Sequence, residues 1–152
     1  MSDTLPLLNE PLNAKSLIRK KSSILAARKE KKLEKKFKIA ILGGSSTEDI
    51  KTFLEIFLLN KGLQAEFYES DFNTYYEEIV FKQGGLYEFK PDIVFIHTTY
   101  RNIKTIPNIK DTISDIKSKA DDFSSKLELM WNNLRENLNC TIIQNNLEFP
   151  PI

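Results

Sequence analysis

The stretch KIAILGGSSTEDIKTFLEIF, residues 38–57, decides how the chain folds. Residues 38–42 form a short apolar run of the kind a buried parallel strand requires. From Thr47 onward Ile50, Phe53, Leu54, Phe57 and Leu58 recur at helical spacing, and Gly62 is placed to end the helix. Between them stand Gly43, Gly44, Ser45, Ser46 and Thr47. A strand, a tight hydroxyl-rich turn and an amphipathic helix make the first half of a βαβ unit. Such units bind ligands beyond the carboxyl ends of their strands.

The pattern repeats outward from this stretch. LQAEFYES (63–70) is predicted as a second strand and FNTYYEEIVF (72–81) as a second helix. Gly84-Gly85 breaks the chain before YEFKPDIVFIHTT, where Pro91 precedes a buried strand at 93–97. Residues 117–138 form a long predicted helix with Phe123, Leu127, Met130, Trp131 and Leu134 along one face, and 140–144 a fourth strand. Alternating strands and helices imply an α/β fold with a mostly parallel sheet and helices on both faces. Right-handed crossovers restrict it to a doubly wound, flavodoxin-like or Rossmann-like arrangement of three α/β/α layers. Four strands are few for such a sheet, and the fourth lies close to Ile152. The expectation is a domain incomplete at its C-terminus, in a chain that is a fragment.

Ahead of the sheet, residues 1–13 carry two prolines and no periodicity, and 14–36 favour a helix rich in Lys and Glu. Leu17, Ile18, Ile24 and Leu25 share one side of it, and the stripe lapses through 28–32, as in a helix that packs at one end only. The division expected is therefore 1–36, a basic lead-in and helix, and 37–152, the α/β domain. Residues 1–37 hold 10 Lys/Arg against 4 Asp/Glu, and the remainder 12 against 17, for a net charge of +1. A basic arm before a mildly acidic body is the pattern of either a solvated face or an interaction tail. No aromatic residue interleaves the lysines, which argues against single-stranded nucleic acid as a partner. Cys140 is the only cysteine, so no intrachain disulfide forms, and with one histidine a tetrahedral Cys/His zinc site cannot be filled. No apolar run approaches the roughly 20 residues of a membrane span, and residues 1–13 lack the continuous apolar stretch expected of a secretory leader. These features point to a cytoplasmic protein with no membrane or metal partner.

Strand-end geometry selects 43–47, 69–75, 97–102 and 145–148 as the stretches that meet at one edge of the sheet. They supply Ser45, Ser46, Thr47, Thr98 and Thr99, the amides of Asn73, Asn102, Asn145 and Asn146, and His97 and Arg101. Three readings of the turn stay open. As a phosphate cradle it would use the free N–H groups of the following helix, but neither the P-loop nor the G-x-G-x-x-G pattern is present. As a plain turn, its glycines allow the bend while Ser46 or Thr47 caps the helix, or Ser45 and Glu48 form a capping box. As a nucleophile's seat, it would expose Ser45 above the sheet, with His97 as the base if the strand at 93–97 lies beside that at 38–42.

The first block, 38–81, together with FKPDIVFIHTTYRNI (89–103) and TIIQNNLEFPP (141–151), resembles the N-terminal region of FkbH-like proteins of the haloacid-dehalogenase superfamily, subfamily IIIC. That region is similar to SGNH/GDSL hydrolases. The resemblance covers roughly 33–152 and implies that Ser45 stands at the nucleophile position of the G-D-S-[LI]-T block, with Gly44 in place of its aspartate. It implies oxyanion- and substrate-binding roles for Gly44, Ser46, Asn73 and Asn102, of which Asn102 follows the third strand without the G-x-N-D pattern. The late D-x-x-H block is not found in these residues, so the resemblance assigns no general base, and His97 stays the candidate that the strand-end reading offers. FkbH-like proteins are associated with moving a glyceryl group onto an acyl carrier protein, and relatives lie in surface-polysaccharide gene clusters. The resemblance thus implies an acyl carrier protein or a small acyl or glyceryl substrate as partner, together with downstream domains of a longer protein. It implies no cofactor in this chain, with Mg confined to a downstream phosphatase-like domain whose D-x-D-x-[TV] motif is not present. Two functions follow. One is a module that handles or binds an acyl ester or thioester. The other is a non-catalytic domain that docks an acidic carrier protein through its basic N-terminal helix.

Overall fold

The computed structural model describes residues 13–29 and 35–147. Its centre is β1 (Lys35–Gly43), which pairs in parallel with β2 (Leu63–Glu69) on one side and β3 (Ile93–His97) on the other. β4 (Thr141–Gln144) pairs in parallel with β3, giving the order β2-β1-β3-β4. Being flanked on both sides, β1 has to be apolar on both faces, and Ile39, Ala40, Ile41 and Leu42 are all buried. This is the doubly wound α/β sheet with helices on both faces that the alternating pattern predicts.

The chain leaves β1 in one direction to reach β2, then crosses back to β3. Right-handed crossovers therefore place α2 (Glu48–Asn60) on one face. α3 (Tyr75–Val80), α4 (Leu86–Phe89) and α5 (Ile113–Asn137) lie on the other. Ala40, Leu42, Val94 and Ile96 point into this second face, where they pack with Tyr75 and Ile79 of α3, Leu86 of α4 and Met130 and Leu134 of α5. Alternation sends Ile39 and Ile41 the other way, to the face on which α2 buries Ile56 and Leu59. α1 (Ala14–Lys29) lays Leu17 and Ile24 against Ile56 of α2, while Ile18 is 47% exposed. Over β3 and β4 this face is thinly covered: Phe95 is half-buried and Ile143 is 49% exposed.

The elements depart from expectation at their ends. The helix expected over 14–36 ends at Lys29, and Lys35, Lys36 and Phe37 already belong to β1, opposite Leu63, Gln64 and Ala65. Lys36 there finds Glu66 of β2 at 3.0 Å, which suits a lysine to a strand. Residues 30–34, the rest of that expected helix, lie outside the described residues. α5 begins at Ile113, earlier than expected, because Thr112 and Asp115 form a reciprocal capping box. Thr47 stands at the N-cap of α2 without capping it, since its hydroxyl donates to Glu69 Oε2 at 3.0 Å. The alternative capping box from Ser45 to Glu48 is likewise not formed.

β2 is tied to α3 and α4 by a buried polar cluster. Tyr68 Oη donates to Glu78 Oε2 at 2.6 Å and accepts from the Gly85 N–H at 3.0 Å. Thr74 Oγ1 donates to the other Glu78 oxygen at 3.2 Å. Gly84 adopts φ +86°, and a Cβ there would come within 2.9 Å of the Glu78 carboxyl carbon, so only glycine fits the turn. Burial, and then the Glu78 carboxylate, push the Tyr68 hydroxyl up to about 12.

Two predictions follow from this packing. Leu134→Ala, which opens a hole under the sheet, should cost about 2–5 kcal/mol in urea unfolding; a loss well under 1 kcal/mol would contradict the packing described. Tyr68 holds its proton to a higher pH in the folded than in the unfolded chain. The stability it contributes is therefore complete below pH 10 and is lost as pH rises toward about 12. Urea midpoints measured up this alkaline range should fall, and less steeply in Tyr68→Phe; identical slopes in the two proteins would exclude the cluster as the cause.

Candidate functional site

The cleft opens where the chain switches direction, beyond the carboxyl ends of β1 and β3. The turn after β1 is clamped from both sides. Gly44 N–H donates to the His97 carbonyl at 2.9 Å, carrying the β1–β3 ladder one residue further. On the β2 side, Gly43 N–H donates to Ser70 Oγ at 3.1 Å, and Asn73 N–H donates to the Gly43 carbonyl at 3.1 Å. Asn73 takes a left-handed φ of 60°, which asparagine tolerates better than most residues.

Asn102 joins the three strand ends. It sits at the end of a 3-10 turn, Tyr100–Asn102, where its Oδ1 accepts from the Thr99 N–H at 2.8 Å. Its Nδ2 donates to the Gly44 carbonyl at 3.0 Å and to Asn73 Oδ1 at 3.1 Å. A Cβ on Gly44 would fall 2.2 Å from that Nδ2. The Asn102 amide thus fills the space beside Gly44 that a larger side chain would enter.

Ser45 is half-buried and lines the cleft with Gly44, Asn73 and Asn102. Among the described residues neither its hydroxyl nor the N–H groups of Ser45 and Ser46 has a hydrogen-bond partner. The Ser46 side chain is exposed and is not part of the lining. The Gly44 N–H and both Asn102 amide hydrogens are already engaged, so as oxyanion donors these groups are not free. The structure does not bring His97 to Ser45. β3 sends Val94 and Ile96 to the face covered by α3–α5, so His97 projects to the opposite face, its ring centroid 5.9 Å from that of Phe95. The cleft opens on the α3–α5 side, and His97 does not line it. Asn145 serves as a brace instead, exchanging bonds of 2.9 and 2.8 Å with the Thr98 backbone across β3 and β4.

The remaining walls of the cleft, about 720 Å³ in volume, come from Arg101 and from side chains that the sequence pattern does not single out. Phe72 and Phe81 stand at its rim 75% and 60% exposed, and Tyr76 meets Phe81 edge to face. Arg101, Lys104 and Lys126 line it from the 3-10 turn, the loop after it and α5. Lys126 Nζ lies 4.6 Å above the Tyr76 ring and 5.7 Å from that of Tyr75. Burial, and then the nearby Lys104, hold its pKa below that of an ordinary lysine, while Glu77 acts in the opposite sense. Glu77 also lines the cleft, and its Oε2 is buried without a hydrogen-bond partner. No salt bridge joins any of the three cations to a carboxylate among the described residues.

No helix among the described residues is long and apolar enough to cross a membrane, and no three His, Cys, Asp or Glu side chains among them cluster as metal ligands. No protein-family model matches the sequence, and no curated protein sequence does. The fold is shared with a solved structure, the N-terminal part of protein BF1531 from Bacteroides fragilis, which contains a phosphatase domain complexed with Mg. The TM-score is 0.67 at 20% identity, over 86% of this chain and 34% of that one. The chain therefore spans about a third of that structure's length, and the likeness is one of fold.

Proposed function

We propose that the chain is the N-terminal, SGNH-like module of an FkbH-like biosynthetic protein, and that its cleft holds an acyl ester or thioester, free or on an acyl carrier protein. The observation that carries this reading is Ser45, which lines the cleft with its hydroxyl and two adjacent backbone N–H groups unused. The shared fold with the N-terminal part of a protein that also contains a phosphatase domain supports the modular side of the reading. Any magnesium-dependent phosphoryl chemistry belongs, on this reading, to a domain downstream of these residues.

The geometry favours binding and polarising a carbonyl over self-contained hydrolysis. N–H groups at Ser45 and Ser46 are of the kind that stabilise an oxyanion, but a serine hydroxyl needs a base to become a nucleophile. With His97 on the opposite face of the sheet, no imidazole serves that role in the cleft. α1 favours a second reading: it packs through Leu17 and Ile24 and leaves Lys15, Arg19 and Lys20 exposed, a surface suited to an acidic carrier protein.

An acyl N-acetylcysteamine thioester should bind the wild-type chain in calorimetry and lose at least about tenfold in affinity in Ser45→Trp, which blocks the cleft at the turn. Any thioester cleavage above background should disappear in Ser45→Ala. Equal binding to Ser45→Trp would remove the cleft from consideration, and full cleavage by Ser45→Ala would remove Ser45 as nucleophile. For the second reading, Lys15→Gln/Lys20→Gln should weaken binding of an acyl carrier protein, which added salt should weaken further; binding indifferent to both would exclude it.

A further inference from the structure

We propose that Arg101, Lys104 and Lys126 form a subsite for a phosphate monoester, whose apolar arm lies against Phe72, Tyr76 and Phe81. The subsite rests on the cleft being a ligand site, as proposed above, and requires no reaction at Ser45.

Three cations reach one cleft from separate elements, with no salt bridge to neutralise them among the described residues. Holding like charges together is costly, and Lys126 is partly desolvated as well. An anion in the cleft offsets both costs. Among the described residues Glu77 is the one carboxylate in the lining, so their side chains give the cleft a surplus of two positive charges. That surplus matches a dianionic phosphate monoester better than a singly charged carboxylate. The planar guanidinium of Arg101 can meet two phosphate oxygens at once, and the lysines add point charges.

The walls describe the rest of the ligand. Phe72 and Phe81 expose large apolar surfaces at the rim, an arrangement that favours an apolar or aromatic arm over a small polyol. Beside them Glu77 Oε2 is a buried acceptor with no donor, which a ligand hydroxyl or amide N–H would satisfy. The expected ligand is thus an amphipathic phosphate ester carrying a hydrogen-bond donor along its arm.

Calorimetric titration of the full chain with phenyl phosphate, inorganic phosphate, glycerol phosphate and benzyl alcohol tests this. Phenyl phosphate should bind at least about tenfold more tightly than any of the other three. Arg101→Gln/Lys104→Gln, at exposed positions, should weaken it about tenfold or more with an unchanged circular dichroism spectrum. Phe72→Ala should narrow the preference for phenyl phosphate over inorganic phosphate. Phenyl phosphate binding by a chain that binds no acyl thioester would leave the subsite standing while removing the ester reading. Three results would each overturn the proposal. One is undiminished binding by Arg101→Gln/Lys104→Gln. Another is an equal loss in Lys15→Gln/Lys20→Gln on α1, the mark of diffuse attraction. The third is glycerol phosphate binding as tightly as phenyl phosphate.

Discussion

Every other element takes its place from β1, a strand hydrogen-bonded along both edges and buried on both faces. A backbone in that position has its polar groups satisfied only by neighbours in register, and its side chains only by apolar layers above and below. Ala40 and Leu42 commit one face to α3–α5, and Ile39 and Ile41 commit the other to α2. Because the chain leaves β1 first toward β2 and then toward β3, the ends of these strands diverge in their connections. The gap so formed is the cleft.

The cleft is built by polar contacts between backbone and side chain, with little help from the apolar core. Gly43 and Gly44 are held by the Ser70 hydroxyl, the Asn73 N–H, the His97 carbonyl and the Asn102 amide. These bonds hold the turn in place, and they engage the Gly44 N–H and both Asn102 amide hydrogens. Ser45 and Ser46, one and two residues further on, escape the clamp. The chemistry available at the turn is for that reason concentrated in Ser45 and the adjacent N–H groups, and the electrostatics in side chains that arrive from elsewhere.

Much of this architecture was legible from residue pattern, and the reasons for the rest are physical. The apolar runs at 38–42 and 93–97 mark strands buried on both faces, and that same property hides which way each residue points. Val94, Ile96, Ile93 and Phe95 are all apolar, so nothing in the pattern says that His97 follows Phe95 away from the cleft. Lys35 and Lys36 favour helix by propensity, yet pairing with β2 and the partner Glu66 draw them into a strand. Ser45 stands out in the sequence because it lies in the turn two residues beyond β1. Lys126 and Glu77 do not, since each lies in a helix with charged neighbours, and only the docking of α3 and α5 sets those two side chains apart.

The contact between Gly44 and Asn102 also constrains how this turn can change. An aspartate at position 44 collides with the Asn102 amide, while shortening Asn102 first strips the Gly44 carbonyl and Asn73 Oδ1 of their donor. Each substitution disturbs the same small cluster, so the two positions are energetically coupled. Substitutions at 44 and 102 therefore do not act independently, and the effect of changing both cannot be read from either change alone.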